Sequence, residues 1–129
     1  MLINSSLLKE HGYINGKWVG SDAKSRFDIK NAYTNEVIST LPDMGKKETD
    51  EAINAANEAW PDWRSRTAKE RAIILKKWFD LIMENQEDLA ILMTAEQGKP
   101  LAEARGEVGY GASFIEWFAE EGKRTYGDI

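Results

Sequence analysis

The period of the apolar residues changes near residue 45, and that change constrains the fold more than any other feature of the chain. Before it, β-branched and aromatic residues alternate with turn formers, the two-residue repeat of a half-buried strand. After it, Ala, Glu, Lys and Leu dominate, and apolar residues recur at the i, i+3, i+4 spacing of amphipathic helices. Such a chain is α+β and mostly helical, with N-terminal β-hairpins followed by about four helices. Its 129 residues suit one domain, divided into a β-hairpin region over 1–44 and a helical region over 45–129. No internal repeat, low-complexity tract or interdomain linker is evident.

Local signals place the elements. Residues Leu2–Lys9 read as a short helical lead-in. Tyr13–Val19 reads as a tight hairpin, because both residues of Asn15-Gly16 tolerate positive φ. Phe27–Asn31 is a strand, Tyr33–Glu36 a turn, and Glu36–Leu41 the returning strand, ended by Pro42. Gly45 caps the first helix, with Glu48 three residues on. Ala52, Ile53, Ala55, Ala56, Ala59 and Trp60 form its apolar stripe, and Pro61 is expected to close it. Thr67 and Glu70 make a capping box. Ile74, Leu75, Trp78, Phe79, Leu81 and Ile82 then give an expected buried face. Asn85 with Asp88 opens a third helix that carries Leu89, Leu92 and Met93 inward and ends at Gly98. Pro100 suits the first position of a last helix, which runs from about Leu101 to Arg124.

The chemical inventory is thin. Cysteine is absent, so this chain alone has no disulfide, thiolate metal site or thiol nucleophile. His11 is the single histidine, which leaves no two-His metal motif. It stands at no recognisable spacing from Ser5, Ser6 or Ser113 for a Ser–His nucleophile. Seventeen basic against 22 acidic residues give a net charge of −5, which disfavours nucleic acid. No signal peptide is recognised, and no apolar run approaches the roughly 20 residues that span a bilayer. A cytoplasmic location is expected, without membrane association.

Gly106, Gly109 and Gly111 match neither a dinucleotide fingerprint nor a P-loop, since no strand precedes them. Close approach of the helix to another backbone is the expected reason for them. Glu116, Glu120 and Glu121, followed by Lys123 and Arg124, read as a solvated face rather than an acid–base pair. Tyr110, Phe114, Trp117 and Phe118 form an aromatic stripe at i, i+4, i+7, i+8. Core packing is its first reading, and a pocket lining or subunit contact the second. On spacing and composition alone, the chain is a soluble α+β module.

Particular runs say more. Tyr13-Ile-Asn-Gly-Lys-Trp-Val19, the turn Asn31…Thr34-Asn35-Glu36-Val37, the run Trp63-Arg64…Thr67-Ala-Lys-Glu-Arg71 and Glu96-Gln-Gly-Lys-Pro100 together resemble the start of an NAD(P)-dependent aldehyde dehydrogenase. Glu96–Glu107, Ser113–Glu121 and Lys123-Arg124…Tyr126-Gly-Asp128 most resemble the succinate-semialdehyde branch of that family. The resemblance covers essentially the whole chain. Two departures stand out: Ala32 replaces a proline usual in the family's turn, and Asn35 replaces a glycine. Asn tolerates left-handed φ, so the turn is expected to survive.

The resemblance implies an N-terminal fragment, with the nucleotide-binding core and catalytic domain absent. The parent would oxidise succinate semialdehyde to succinate with NAD or NADP. The family's chemistry needs a cysteine nucleophile, an oxyanion hole and a glutamate base, all of which lie downstream in family members. This chain is therefore expected to be inactive alone, with no catalytic or cofactor-binding residue of its own and no bound cofactor. The resemblance also makes Tyr110 and Phe114, with Gly106 and Glu107 one turn earlier, candidates for the aldehyde tunnel. It further implies a structural monovalent cation near Glu96 and the backbone carbonyl of Lys30, a hard-cation set of oxygens, lacking a third ligand here.

A stand-alone structural or protein-interaction module is the alternative. Burial of Trp60, Trp78, Phe114 and Trp117 separates the two, because a self-contained domain must cover them. A fragment is expected to form a homo-oligomer, with exchange of the last helix as one route.

Overall fold

The computed structural model describes residues 5–128. A single 3-10 turn over Ser5–Leu7 precedes β1 (Gly12–Ile14), β2 (Lys17–Val19), β3 (Arg26–Lys30) and β4 (Val37–Pro42). Helices α1 (Lys46–Ser65), α2 (Ala68–Glu84), α3 (Gln86–Gln97) and α4 (Leu101–Glu121) follow. The expected lead-in helix is thus one turn among the described residues; its part over 2–4 lies outside them.

The hairpins form where the turn residues put them. Asn15 and Gly16 have φ of 49° and 76°, so both central residues are left-handed, as a right-twisted two-residue hairpin requires. Tyr13 pairs with Trp18 across β1 and β2. In the second hairpin Phe27 pairs with Leu41, and a bulge falls between Ile29 and Lys30. The Asn31 side chain organises the turn, its Oδ1 accepting from the N–H of Tyr33 and of Thr34 at 2.9 Å each. Asn35 takes φ of 61°, the left-handed geometry its replacement of glycine had to supply.

Glu48 joins the hairpin region to α1. Its carboxylate is buried and accepts the Asp22 N–H at 2.5 Å and the Gly45 N–H at 2.9 Å. These backbone donors, first Asp22 and then those of Glu48 itself and Gly45, hold its carboxyl below the usual glutamate range. The cap expected at Gly45 therefore also fastens the loop after β2.

Pro61 does not close α1, which continues to Ser65. A proline removes one N–H and crowds the carbonyl four residues back. Residues 57–62 are all exposed, so water can take up that carbonyl. Beyond the proline, the Ser65 hydroxyl donates to the Asp62 carbonyl at 2.8 Å and the Arg66 guanidinium meets the Asp62 carboxylate at 2.8 Å. Thr67 caps α2 as expected: its Oγ1 accepts the Glu70 N–H at 3.3 Å and the Glu70 carboxylate accepts the Thr67 N–H at 2.7 Å. Asn85 sits between α2 and α3, but its Nδ2 donates backward to the Leu81 carbonyl at 2.8 Å, so its amide closes α2. Gly98 ends α3 with φ of 77°, the left-handed stop that glycine allows. Pro100 occupies the cap of α4, one residue before the first helical position. The helix ends at Glu121 rather than Arg124, because the Lys123 N–H turns to the Glu120 carbonyl at 3.1 Å and tightens the last turn.

The core is made of small side chains. Ala90, Ala104 and Val108 form its centre, with Ile82, Leu89, Met93 and Leu101 packed around them. Helix α4 packs most extensively on α2 and then on α3. The expected buried face of α2 is not buried: Ile74, Trp78 and Leu81 are exposed, while Leu75, Phe79 and Ile82 are half-buried. Ala72 is its one buried apolar side chain among the described residues. Among the described residues, none covers the large side chains Ile74, Trp78 and Leu81.

Candidate functional site

Helix α4 carries two apolar faces with opposite fates. Ala104, Val108, Ala112 and Ala119 are buried, with Ile115 half-buried between them. They run at i, i+4, i+8, i+11, i+15, one continuous helical stripe. This was the missed signal: small residues at perfect spacing allow close helix contact, whereas the eye goes to the aromatics. Gly106 and Gly111 face open space, so they do not bring backbones together. Gly109 alone of the three has a close neighbour, with Gln86 Nε2 3.3 Å from where a Cβ would stand.

Polar contacts fix α4 against the start of α3. Arg105 pairs with Glu87 through two hydrogen bonds, Nε to Oε2 at 2.6 Å and Nη2 to Oε1 at 2.8 Å. That guanidinium holds the Glu87 carboxyl below the usual range. Gln86 Nε2 donates to the Arg105 carbonyl at 2.9 Å. Farther along, Lys76 of α2 reaches Glu116 at 3.4 Å and Asp80 at 3.2 Å. The carboxylates expected on a solvated face are there: Glu120 pairs with Lys123 at 2.9 Å and Glu121 with Arg124 at 3.0 Å. None is poised as an acid–base couple.

The aromatic stripe faces outward, which corrects the core reading. Tyr110, Phe114, Trp117 and Phe118 are all exposed. The Tyr110 and Phe114 rings meet edge-to-face at 4.8 Å, a favoured aromatic geometry. Together with Trp117, Phe118 and the Arg124 side chain they line an open groove of about 650 Å³. Of the four tunnel candidates, Tyr110 and Phe114 lie in this groove. Gly106 and Glu107 are outside it, and the Glu107 carboxylate is paired with Lys99. Ser113, also on the groove, donates its hydroxyl to the Tyr110 carbonyl at 2.7 Å, so it is engaged with its own helix.

The cation candidates come from adjoining segments. The Ala32 N–H donates to the Ala95 carbonyl at 3.1 Å, tying the end of β3 to the last turn of α3, where Glu96 sits exposed. A proline at position 32 has no N–H to give, so this tie depends on the alanine. Among the described residues no cluster of three or more His, Asp or Glu side chains is placed to hold a metal ion, so any cation here would rely on backbone carbonyls beside Glu96. The glycines near Gly106 lie inside a helix and not at a strand–helix turn, so they form no phosphate cradle.

This arrangement, small hairpins feeding an alanine-seamed helical bundle, belongs to a known class. Residues 18–129 match the aldehyde dehydrogenase family, and the chain belongs to that family. Its relatives narrow the class. The chain is 57% identical over 127 residues to a glutarate-semialdehyde dehydrogenase of Pseudomonas putida, covering 98% of this chain and 26% of that protein. It is 56% identical over 127 residues to an NADP(+) succinate-semialdehyde dehydrogenase of Escherichia coli, with the same coverage. Among solved structures, an E. coli NADP-dependent enzyme superposes with a TM-score of 0.97 at 55% identity, over 99% of this chain and 27% of that one. A succinate-semialdehyde dehydrogenase from Burkholderia pseudomallei gives a TM-score of 0.96 at 54% identity, over 98% and 26%. The chain thus spans about a quarter of the length of the relatives it matches.

Proposed function

We propose that these residues are the N-terminal scaffold of a semialdehyde dehydrogenase whose whole protein oxidises succinate semialdehyde to succinate with NAD or NADP. The observation that carries this reading is the similarity to succinate- and glutarate-semialdehyde dehydrogenases along nearly the whole chain. Other relatives are named for 3-sulfolactaldehyde and aspartate semialdehyde. All four substrates carry an acid group as well as the aldehyde, and that is the substrate class expected of the whole protein. By itself the 129-residue chain is inactive in this reading, because it has no cysteine to form the covalent thioester intermediate.

In the whole protein Tyr110 and Phe114 line the aldehyde's approach, with Gly106 and Glu107 behind them. Glu96 and the Lys30 carbonyl supply two oxygens to a structural monovalent cation. A bacterial cytoplasmic enzyme acting as a homo-oligomer fits the same reading.

A chimera tests it: this chain replaces the matching quarter of the E. coli succinate-semialdehyde dehydrogenase. The chimera is expected to oxidise succinate semialdehyde with NADP, and Phe114→Ala in it to raise KM more than it lowers kcat. A folded chimera without turnover overturns the assignment. The isolated chain, freed of any longer enzyme, is expected to give no NAD(P)H; turnover there overturns the scaffold reading.

A further inference from the structure

Asn15 and Gly16 stand together at the tip of the first hairpin, both exposed. Of the chain's seven asparagines, Asn15 alone precedes a glycine. Asparagine is thermolabile, because the backbone nitrogen of the next residue can attack its side-chain carbon Cγ. That attack is favoured by a free N–H, a free amide and no bulk on the following Cα. At the other described asparagines the fold withholds these conditions. After Asn31 the Ala32 N–H donates to the Ala95 carbonyl at 3.1 Å, and Asn31 Oδ1 already accepts from two N–H groups. After Asn35 the Glu36 N–H donates to Thr34 Oγ1 at 3.3 Å. Asn54 and Asn57 lie inside α1, where the following N–H groups belong to the helix ladder. The Asn85 amide donates to the Leu81 carbonyl at 2.8 Å, and Asn4 lies outside the described residues. Asn15 differs: among the described residues no hydrogen bond holds its side chain or the Gly16 N–H. A Cβ on Gly16 would come no nearer than 3.9 Å to its closest neighbour, the Tyr13 hydroxyl, so the approach is open.

We propose that Asn15 is a site of spontaneous deamidation, gated by opening of the β1–β2 hairpin. The Gly16 nitrogen forms a bond to Asn15 Cγ, the Cγ–Nδ2 bond breaks, and ammonia leaves with the Gly16 proton. Water then opens the succinimide ring at either carbonyl, giving aspartate or isoaspartate. One water is consumed and one ammonia released, with no oxidant or reductant. Nucleophile and target belong to adjacent residues, so the step is intramolecular. The folded turn restrains it: Asn15 and Gly16 hold φ of 49° and 76°, and ring closure turns the Asn15 backbone out of that geometry. Two strands of three residues each make a hairpin that opens readily, and the Tyr13–Trp18 ring pair at 5.0 Å clasps it. The products act back on the fold. Isoaspartate adds a methylene to the main chain of a two-residue turn, which breaks the register that pairs Tyr13 with Trp18. Either product also places a carboxylate where Asn15 borders a shallow cavity shared with Glu51 and Glu58 of α1, and like charges there push β1 from α1. The site is built from one hairpin and stands whichever reaction the whole protein performs.

Ageing the 129-residue chain in warm, mildly alkaline buffer, followed by tryptic peptide mapping, tests the proposal. The peptide Glu10–Lys17 contains Asn15 and no other asparagine, so its aspartyl and isoaspartyl forms report this site alone. Both forms are expected to accumulate there, while the peptides holding Asn31, Asn35, Asn54, Asn57 and Asn85 keep their amides. Trp18→Ala removes the ring pair and is expected to quicken the conversion about two- to tenfold, with helical circular dichroism unchanged. Asn15→Asp keeps a residue that suits the turn and isolates the effect of the charge. It is expected to quicken amide exchange along β1 and β2, and Glu51→Gln added to it to reverse part of that change. An Asn15 that keeps its amide, or converts no faster than the other asparagines, overturns the proposal. A Trp18→Ala chain that converts at the wild-type rate overturns the gating by the hairpin. Unaltered exchange in Asn15→Asp overturns the action of the carboxylate on the fold.

Discussion

The hairpin region and the helical region solve different problems. The hairpins are held by their own turns: left-handed residues at Asn15, Gly16 and Asn35, and an Asn31 side chain that gathers two N–H groups. Each is an isolated two-stranded sheet among the described residues, and their large side chains, Trp18 and Phe27 among them, remain exposed. The helices are held at a distance in sequence, by an alanine seam where α4 crosses α2 and α3. Their large side chains are also exposed, but as ordered stripes and not as scattered residues. Order in a turn is satisfied locally, whereas an ordered apolar stripe points to something outside the chain.

The largest expected effect is on the seam. Ala104 is fully buried, and Ala104→Leu should destabilise the helical region by about 1–3 kcal/mol through overpacking. Urea titration followed by helical circular dichroism would show it. No change there would mean that α4 is not tightly seated, and the contrast between the regions would collapse.

Gly98→Ala comes next. Its φ of 77° is costly for any residue with a Cβ, by about 1–2 kcal/mol, and the added carbon would stand 3.4 Å from the Ala32 Cβ. This substitution loosens the contact between the turn of the second hairpin and the end of α3. Thermal melts should drop, and amide exchange at Ala32 should quicken in parallel. If exchange there is unaltered, the second hairpin does not depend on the end of α3.

Acid should act on the helices and on their junction with the hairpins. The carboxyls of Glu48, Glu70, Glu87 and Glu120 are all held below the ordinary glutamate value of about 4.5 by backbone or side-chain donors. A carboxyl with a depressed folded value contributes its full stability above the unfolded value and loses it as pH falls through the folded one. The melting temperature should therefore be level near neutrality and fall below about pH 4.5. Glu48→Gln should shrink that fall and also weaken the corner between the β2 loop and α1.

The smallest effect is expected at Trp78. It is 55% exposed, so Trp78→Gln should change the stability of the chain by no more than about 0.5 kcal/mol. A large loss would show that the α2 face is covered in solution, and it would sharpen the contrast by naming a second covered stripe.

The short-range chemistry of the fold was legible in the sequence. Asn15-Gly16, Thr67-Glu70 and Gly98 each decide a backbone conformation within four residues, and each appears where it was read. Pro61 was misread because its cost depends on whether the orphaned carbonyl can reach water, which is a property of the surroundings. The aromatic stripe of α4 was legible as a stripe but not as a surface. Period states which residues share a face and is silent on what lies across from it. The stripe of Ala104, Val108, Ala112 and Ala119 was equally periodic, but small side chains weigh little on a hydrophobicity scale. Tyr110, Phe114 and Trp117 were legible as one stripe with a pocket lining as its second reading, whereas Arg124 joined them on the groove only through the geometry.

The alanine seam has a thermal consequence. Buried alanines have almost no rotamers to lose, and they withdraw little apolar area from water. Unfolding this chain therefore hydrates less new hydrocarbon than unfolding a Leu-rich bundle of equal length. Its heat-capacity increment should fall below the usual 12–15 cal/mol/K per residue, roughly, and its stability curve should be correspondingly flat. A chain of this kind softens gradually on warming and on cooling alike, until another body covers its stripes and gives the curve its ordinary curvature.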